Sequence, residues 1–140
     1  LDSIQAAILD CKLPHLDSYI ASRQRAAAFY DNAFAGNPHL LIPTRSAYST
    51  HVFHQYTLRL IDVDRDALRN ALAEKGIPAM VYYPIPLHMQ KAYQDPRYQT
   101  GDFPVAEKLA DCVLSLPMHT ELDEEQLTYI CNHVLAFVNQ

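Results

Sequence analysis

Tyr82, Tyr83 and His88 stand close together in the stretch GIPAMVYYPIPLHMQKAY, Gly76 to Tyr93. A phenol donates and accepts hydrogen bonds, and an imidazole does the same while titrating near neutral pH. Pro84 and Pro86 fix their φ angles and remove two backbone donors, so the chain leaves any sheet stiffly at this point. Residues just beyond a rigid turn commonly carry function. By residue type alone the stretch reads equally well as a binding site and as a structural strand end with half-buried tyrosines, because Tyr and His do both jobs.

Other chemistries lack their residues. The chain has 7 histidines, but His51 and His54 are three apart on an expected strand, which points their side chains to opposite faces. Neither HExxH nor paired CxxC spacing occurs, so no metal site is expected. His54 is expected beneath a helix, and His15, His39 and His133 at the surface. With only 3 glycines, neither a GxGxxG nor a Walker A phosphate loop can form, and no GxSxG elbow is present. The acids of DVDRD and DEE sit at helix starts, where capping and the helix dipole account for them.

The bulk properties narrow the class. A chain of 140 residues is expected to form one domain, residues 1–140, and can bury a core without staples. A formal net charge of -5 argues against a nucleic-acid binder, which carries a basic footprint. No window approaches the roughly 20 apolar residues of a membrane helix, and no secretory leader is recognisable. Cys11, Cys112 and Cys131 are an odd, widely spaced set, which fits reduced thiols in a cytoplasmic protein. The chain opens on leucine inside an amphipathic helical pattern, so it is expected to be a piece of something longer.

The elements that would position the tyrosines follow from periodicity. Residues 1–34 are helical in pattern, with Pro14 splitting the run into two helices or one kinked helix. Residues 35–50 are breaker-rich and hold a short edge strand. HVFHQYTLRL, His51 to Leu60, alternates, placing Val52, His54, Tyr56, Leu58 and Leu60 on one face of a strand. DVDRDALRNALAEKG is a helix capped by Asp62 or Asp64 and stopped at Gly76. IPAMVYY is the next strand, which puts Tyr82 and Tyr83 on opposite faces. FPVAEKLADC is a helix, CVLSLPM a strand, and LDEEQLTYICNHVLAFV a closing helix with a capping box from Asp123 to Gln126. The order predicts an α+β layer sandwich, a small sheet with helices packed on it.

Several motifs then line up in order: LDSIQAAIL with KLPHLD and RQRAAAFY, HVFHQYTLRL, RDALRNALAEKGIPAMVYYPIPLHMQ, and FPVAEKLADCVLSLPMHTEL. Together they resemble the C-terminal part of the DegT/DnrJ/EryC1/StrS sugar-nucleotide aminotransferases over nearly the whole chain. The resemblance implies the small C-terminal domain of an enzyme of the aspartate-aminotransferase fold, with a small, mostly antiparallel sheet behind a long broken helix. It implies a pyridoxal-phosphate transaminase that moves an amino group, from glutamate, to a keto-sugar nucleotide for cell-surface polysaccharide or related sugar biosynthesis.

The same resemblance divides the labour. The Schiff-base lysine and the acid on the cofactor ring belong to the family's large N-terminal domain, and Lys12, Lys75, Lys91 and Lys108 match no such motif. No catalytic, cofactor-binding or metal-ligating residue is therefore expected here, and the piece alone should be inactive. By resemblance, Tyr82 and Tyr83 lie near the nucleotide-sugar substrate, with His88 at the same rim; Tyr82 stands where the family often has histidine. The complete enzyme would be a homodimer, and the piece would self-associate through surface meant for the missing domain. The competing expectation is a stand-alone, non-catalytic binding or dimerisation module of the same fold.

Overall fold

The computed structural model describes residues 2–140. Helix α1 (Ser3–Lys12) passes through a 3-10 turn (Leu13–His15) into α2 (Leu16–Phe34). The interruption is at Pro14, whose missing donor and ring prevent a continuous helix. The Asp2 carboxylate caps α1 by accepting from the Gln5 amide at 2.9 Å. None of the α1 residues is buried. Strands β1 (Leu40–Leu41), β2 (Tyr56–Leu60) and β3 (Val113–Leu116) form one antiparallel sheet in that order. Helices α3 (Arg65–Glu74), α4 (Pro104–Cys112) and α5 (Glu124–Val138) complete the chain. Helix α5 packs on α2 and α3, and α4 contacts β2.

Local chemistry fixes the helix ends. Asp64 caps α3 by accepting from the Ala67 amide at 2.9 Å, and Gly76 ends the segment at φ 71, a conformation that favours glycine. At α5, Asp123 accepts from the Gln126 amide at 2.8 Å, and the Gln126 side chain accepts from the Asp123 amide at 3.2 Å.

The core lies between the sheet and α2, α3 and α5. Tyr30, Phe34, Tyr56, Leu58, Leu68 and Leu114 are fully buried in it, each burial of such a side chain contributing about 1.5–3 kcal/mol. The buried hydroxyls find partners, Tyr30 donating to the Pro117 carbonyl at 2.9 Å and Tyr56 to the Asp31 carboxylate at 2.8 Å. On the other sheet face, the hydroxyls of Thr57 and buried Ser115 pair at 2.7 Å.

Two expected strands are shorter in the structure. The strand expected from His51 begins only at Tyr56. Arg23 occupies the carbonyls of Phe53, His54 and Met118 at 3.0, 3.3 and 3.2 Å, and the Phe53 amide donates to His51 Nδ1 at 2.8 Å. Phe53 also sits at φ 51, which reverses the alternation. Phe53 is therefore buried, while Val52 and His54 are exposed and His54 is not under a helix. Among the remaining surface candidates, His15 is exposed, whereas His39 and His133 are half-buried.

The strand expected at IPAMVYY contracts to one bridge between Met80 and Ser115. The Ile77 amide donates to the Leu72 carbonyl at 2.9 Å and the Ala79 amide to the Ile77 carbonyl at 3.0 Å, so neither reaches β3. Pro78 has no amide to offer, and Pro84 and Pro86 prevent recovery of the ladder.

Candidate functional site

After the bridge at Met80 the chain turns outward and both tyrosines emerge from the sheet edge. Their rings meet edge to face with centroids 6.0 Å apart. They do not occupy opposite faces of a strand, because no strand runs through them. Both line one open cleft of about 610 Å³, together with Leu87, Tyr93 and, from α4, Ala106 and Leu109. Tyr83 is 72% exposed and Tyr82 44%.

The lining of this cleft carries no charged side chain; its polar groups are the three phenols and the Gln90 amide. Apolar walls with a few hydrogen-bonding groups suit a neutral polyhydroxylated ring, which presents hydroxyls at its edge and C–H groups on its faces. The cleft can orient such a ligand. It holds no amine for a carbonyl condensation and no carboxylate or imidazole.

His88 is elsewhere. Its imidazole Nε2 lies 3.0 Å from Glu107 Oε1, and its ring packs on Phe103 at 4.8 Å between centroids. It borders a neighbouring hollow of about 460 Å³ with Tyr98 and Phe103, and Pro86, Leu87, Tyr93 and Ala106 line both cavities. Glu107 also accepts from the Gly101 amide at 2.8 Å and, more weakly, from the Phe103 amide at 3.4 Å. The Gly101 amide, helped by His88 and Phe103, holds the Glu107 carboxyl below the ordinary glutamate range.

Tyr93 and Glu107 escaped the sequence reading. An aromatic residue closing a proline-stiffened stretch was the available signal for Tyr93. Glu107 lies in the first turn of α4, where the helix dipole alone accounts for an acid, so nothing local marked it.

Lys12, Lys75, Lys91 and Lys108 are all exposed, and none lines the tyrosine cleft. Lys75 borders a separate hollow of about 450 Å³ with Glu125 and Tyr129, where no Arg, Ser or Thr is present to hold a phosphate ester. The described residues bring no lysine into the tyrosine cleft, and Lys12 borders another hollow of about 640 Å³ with Arg23 and Thr120. The described residues do not include a group of three or more His, Cys, Asp or Glu side chains that could hold a metal ion.

The class of protein follows from the fold. Over its whole length the chain superimposes, with a TM-score of 0.94 and 35% identity, on 37% of the solved structure of S. venezuelae DesV in complex with a ketimine intermediate. It is an α+β portion of an aminotransferase architecture. The model of the DegT/DnrJ/EryC1/StrS aminotransferase family matches residues 1–135, and the chain belongs to that family. A curated relative from Acidithiobacillus ferrooxidans, a UDP-N-acetyl-3-dehydro-alpha-D-glucosamine 3-aminotransferase, is 47% identical over 130 residues, covering 93% of this chain and 34% of the relative. Another, from Geobacillus stearothermophilus, is called a pleiotropic regulatory protein; it is 44% identical over 139 residues, covering 98% of this chain and 37% of the relative. The chain thus spans about a third of the length of the curated relatives it matches.

Proposed function

We propose that residues 1–140 are the C-terminal small domain of a pyridoxal-phosphate-dependent aminotransferase acting on a keto-sugar nucleotide. The observation that carries this reading is the uncharged cleft in which Tyr82, Tyr83 and Tyr93 converge, on a chain of this family. Tyr82 and Tyr83 hydrogen-bond the sugar or diphosphate and orient it, and His88 supports the cleft from behind through Glu107. The cofactor supplies the electron sink and is held by a lysine outside this chain. Glutamate is the amino donor, the complete enzyme is a homodimer, and the product serves polysaccharide or related sugar biosynthesis in the cytoplasm. The A. ferrooxidans relative, which by its name aminates a 3-keto sugar carried on UDP, supports this substrate class.

Steady-state kinetics of the complete enzyme test the cleft. Tyr83→Phe is expected to raise KM for the nucleotide sugar by about threefold to tenfold, the scale of one lost hydrogen bond. Tyr82→Phe is expected to act in the same direction. Unchanged kinetics in both variants remove the tyrosines from the site. The division of labour has its own check. The 140-residue chain, incubated with pyridoxal phosphate and dialysed, is expected to retain no visible cofactor band; a stoichiometric, dialysis-resistant band shows that a lysine of this chain holds the cofactor.

A further inference from the structure

The segment between Leu87 and Phe103 leaves the sheet edge and returns at the start of α4 without joining either layer. Its backbone bonds are short-range turns, such as Met89 to Pro86, Tyr93 to Gln90 and Tyr98 to Asp95. Its polar side chains mostly bond within it or to its start: Arg97 to Asp95, Asp102 to the Gln99 amide, and Gln90 to the Ile85 carbonyl. A segment held only in this way opens readily, because few buried contacts or long-range bonds oppose local unfolding.

Glu107 ties it down. Among the described residues, this carboxylate is the one side chain outside the segment that hydrogen-bonds to it. It meets the entry at His88 Nε2, 3.0 Å away, and the exit at the Gly101 amide, 2.8 and 3.0 Å from its two oxygens. Gly101 adopts φ +98, a conformation that strains an L side chain, while its amide meets the carboxylate. The His88 side chain is only 9% exposed and is braced by Phe103, so the imidazole is spent on this contact. Glu107 belongs to α4, whose Ala106 and Leu109 line the tyrosine cleft together with Leu87 and Tyr93 of the tied segment.

We infer that Glu107 is a positioning residue that clamps the 87–103 segment against α4 and so sets the width of the Tyr82–Tyr83–Tyr93 cleft, with His88 as the clamp's second jaw. The inference rests on the reading of that cleft as the nucleotide-sugar site.

Limited trypsin digestion of the whole chain tests the clamp directly. Lys91 and Arg97 are exposed within the segment, and exposed Lys75 outside it serves as an internal reference. Glu107→Ala is expected to speed cleavage after Lys91 and Arg97 by about tenfold relative to Lys75, the scale of losing hydrogen bonds to a charged group. Glu107→Gln keeps an acceptor oxygen for Gly101 and is expected to restore most of the protection. Equal relative rates in all three proteins overturn the clamp. If Glu107→Ala fails to fold, seen as acceleration at Lys75 as well, His88→Ala decides by the same ratio, since it removes one jaw and leaves the Gly101 contact. In the complete enzyme, Glu107→Ala is expected to raise KM for the nucleotide sugar and leave KM for the amino donor unchanged, with rescue by Glu107→Gln. Faster cleavage with an unchanged nucleotide-sugar KM upholds the tether and overturns its role in substrate positioning. An unchanged KM in Tyr82→Phe and Tyr83→Phe as well traces that failure to the site reading rather than to the clamp.

Discussion

Nε2 of His88 lies 3.0 Å from Oε1 of Glu107, joining the turn after Pro86 to the first turn of α4. The imidazole that stands out in the sequence as a rim residue is thus turned into the scaffold. Tyr82 and Tyr83, its neighbours in sequence, face the cleft instead. Adjacent chemistry-bearing residues have separated, the tyrosines onto one cleft and the histidine onto Glu107.

The acid limb of the stability profile reports on this pair. The folded state holds Glu107 below its ordinary range, chiefly through the Gly101 amide. A carboxylate depressed in this way contributes stability that is fully present above the unfolded value and is lost as pH falls through the folded value. The melting temperature of the wild-type chain is therefore expected to fall more steeply than that of Glu107→Gln as pH drops from neutral to about 3. Asp66, beside Arg65, and Asp95, beside Arg97, are depressed as well and supply the slope that remains in the variant. Parallel melting curves for the two proteins across that range count against the pairing.

Substitution on either side of the reversed alternation checks the packing around Phe53. Phe53→Ala removes a buried ring and is expected to cost about 3–5 kcal/mol, whereas Val52→Ala stays within about 0.5 kcal/mol. Chemical denaturation of both variants gives the comparison. The opposite ranking restores the strand expected from His51.

Thiol labelling should be sharply ordered. Cys11 is exposed on α1, whereas burial pushes the Cys131 thiol up to about 12. The thiolate is the reactive species, so Cys11 is expected to alkylate at once and Cys131 only on global unfolding. Site-resolved mass spectrometry after a short iodoacetamide pulse reads this, and early modification of Cys131 contradicts the packing of α5 on α2.

Helix α1 presents Ile4 and Ile8 to solvent one turn apart, followed by exposed Leu13 and Leu16. Apolar surface of this kind drives association, so the 140-residue chain is expected to self-associate in light scattering as concentration rises. The double substitution Ile4→Lys, Ile8→Lys is expected to shift it toward monomer. A clean monomer at high concentration in the unsubstituted chain argues against the association.

Much of this architecture was legible one element at a time. Asp62 or Asp64 and Asp123 announced their helices, Gly76 announced a stop, and Pro14 announced two helices or one kinked helix, because caps and breakers act through bonds made within one turn of chain; the structure takes Asp64 and a 3-10 interruption. The stripe of Leu127, Ile130, Cys131, Val134 and Val138 was legible for the same reason, and all five are buried. The resemblance carried by the ordered motifs gave the family, which the match over residues 1–135 bears out.

What resisted reading was decided by bonds that periodicity does not show, long-range at Phe53 and short-range at Ile77 and Ala79. The alternation from His51 to Leu60 was a sound strand pattern, but Arg23 on α2 took the carbonyls of Phe53 and His54, and the left-handed residue Phe53 shifted the buried position. The IPAMVYY run was a sound strand as well, until Ile77 and Ala79 spent their amides locally and left Met80 alone on β3.

By itself, then, the sequence determined the helices and most of their ends, since each rests on interactions between residues a few positions apart, and its ordered motifs gave the family. Tertiary structure alone decided that Tyr82, Tyr83 and Tyr93 share one cleft and that His88 turns away to Glu107. The physical reason is range. A cap or an apolar stripe is complete within a turn or two of chain, whereas the direction of a loop side chain depends on which distant donor or acceptor satisfies it.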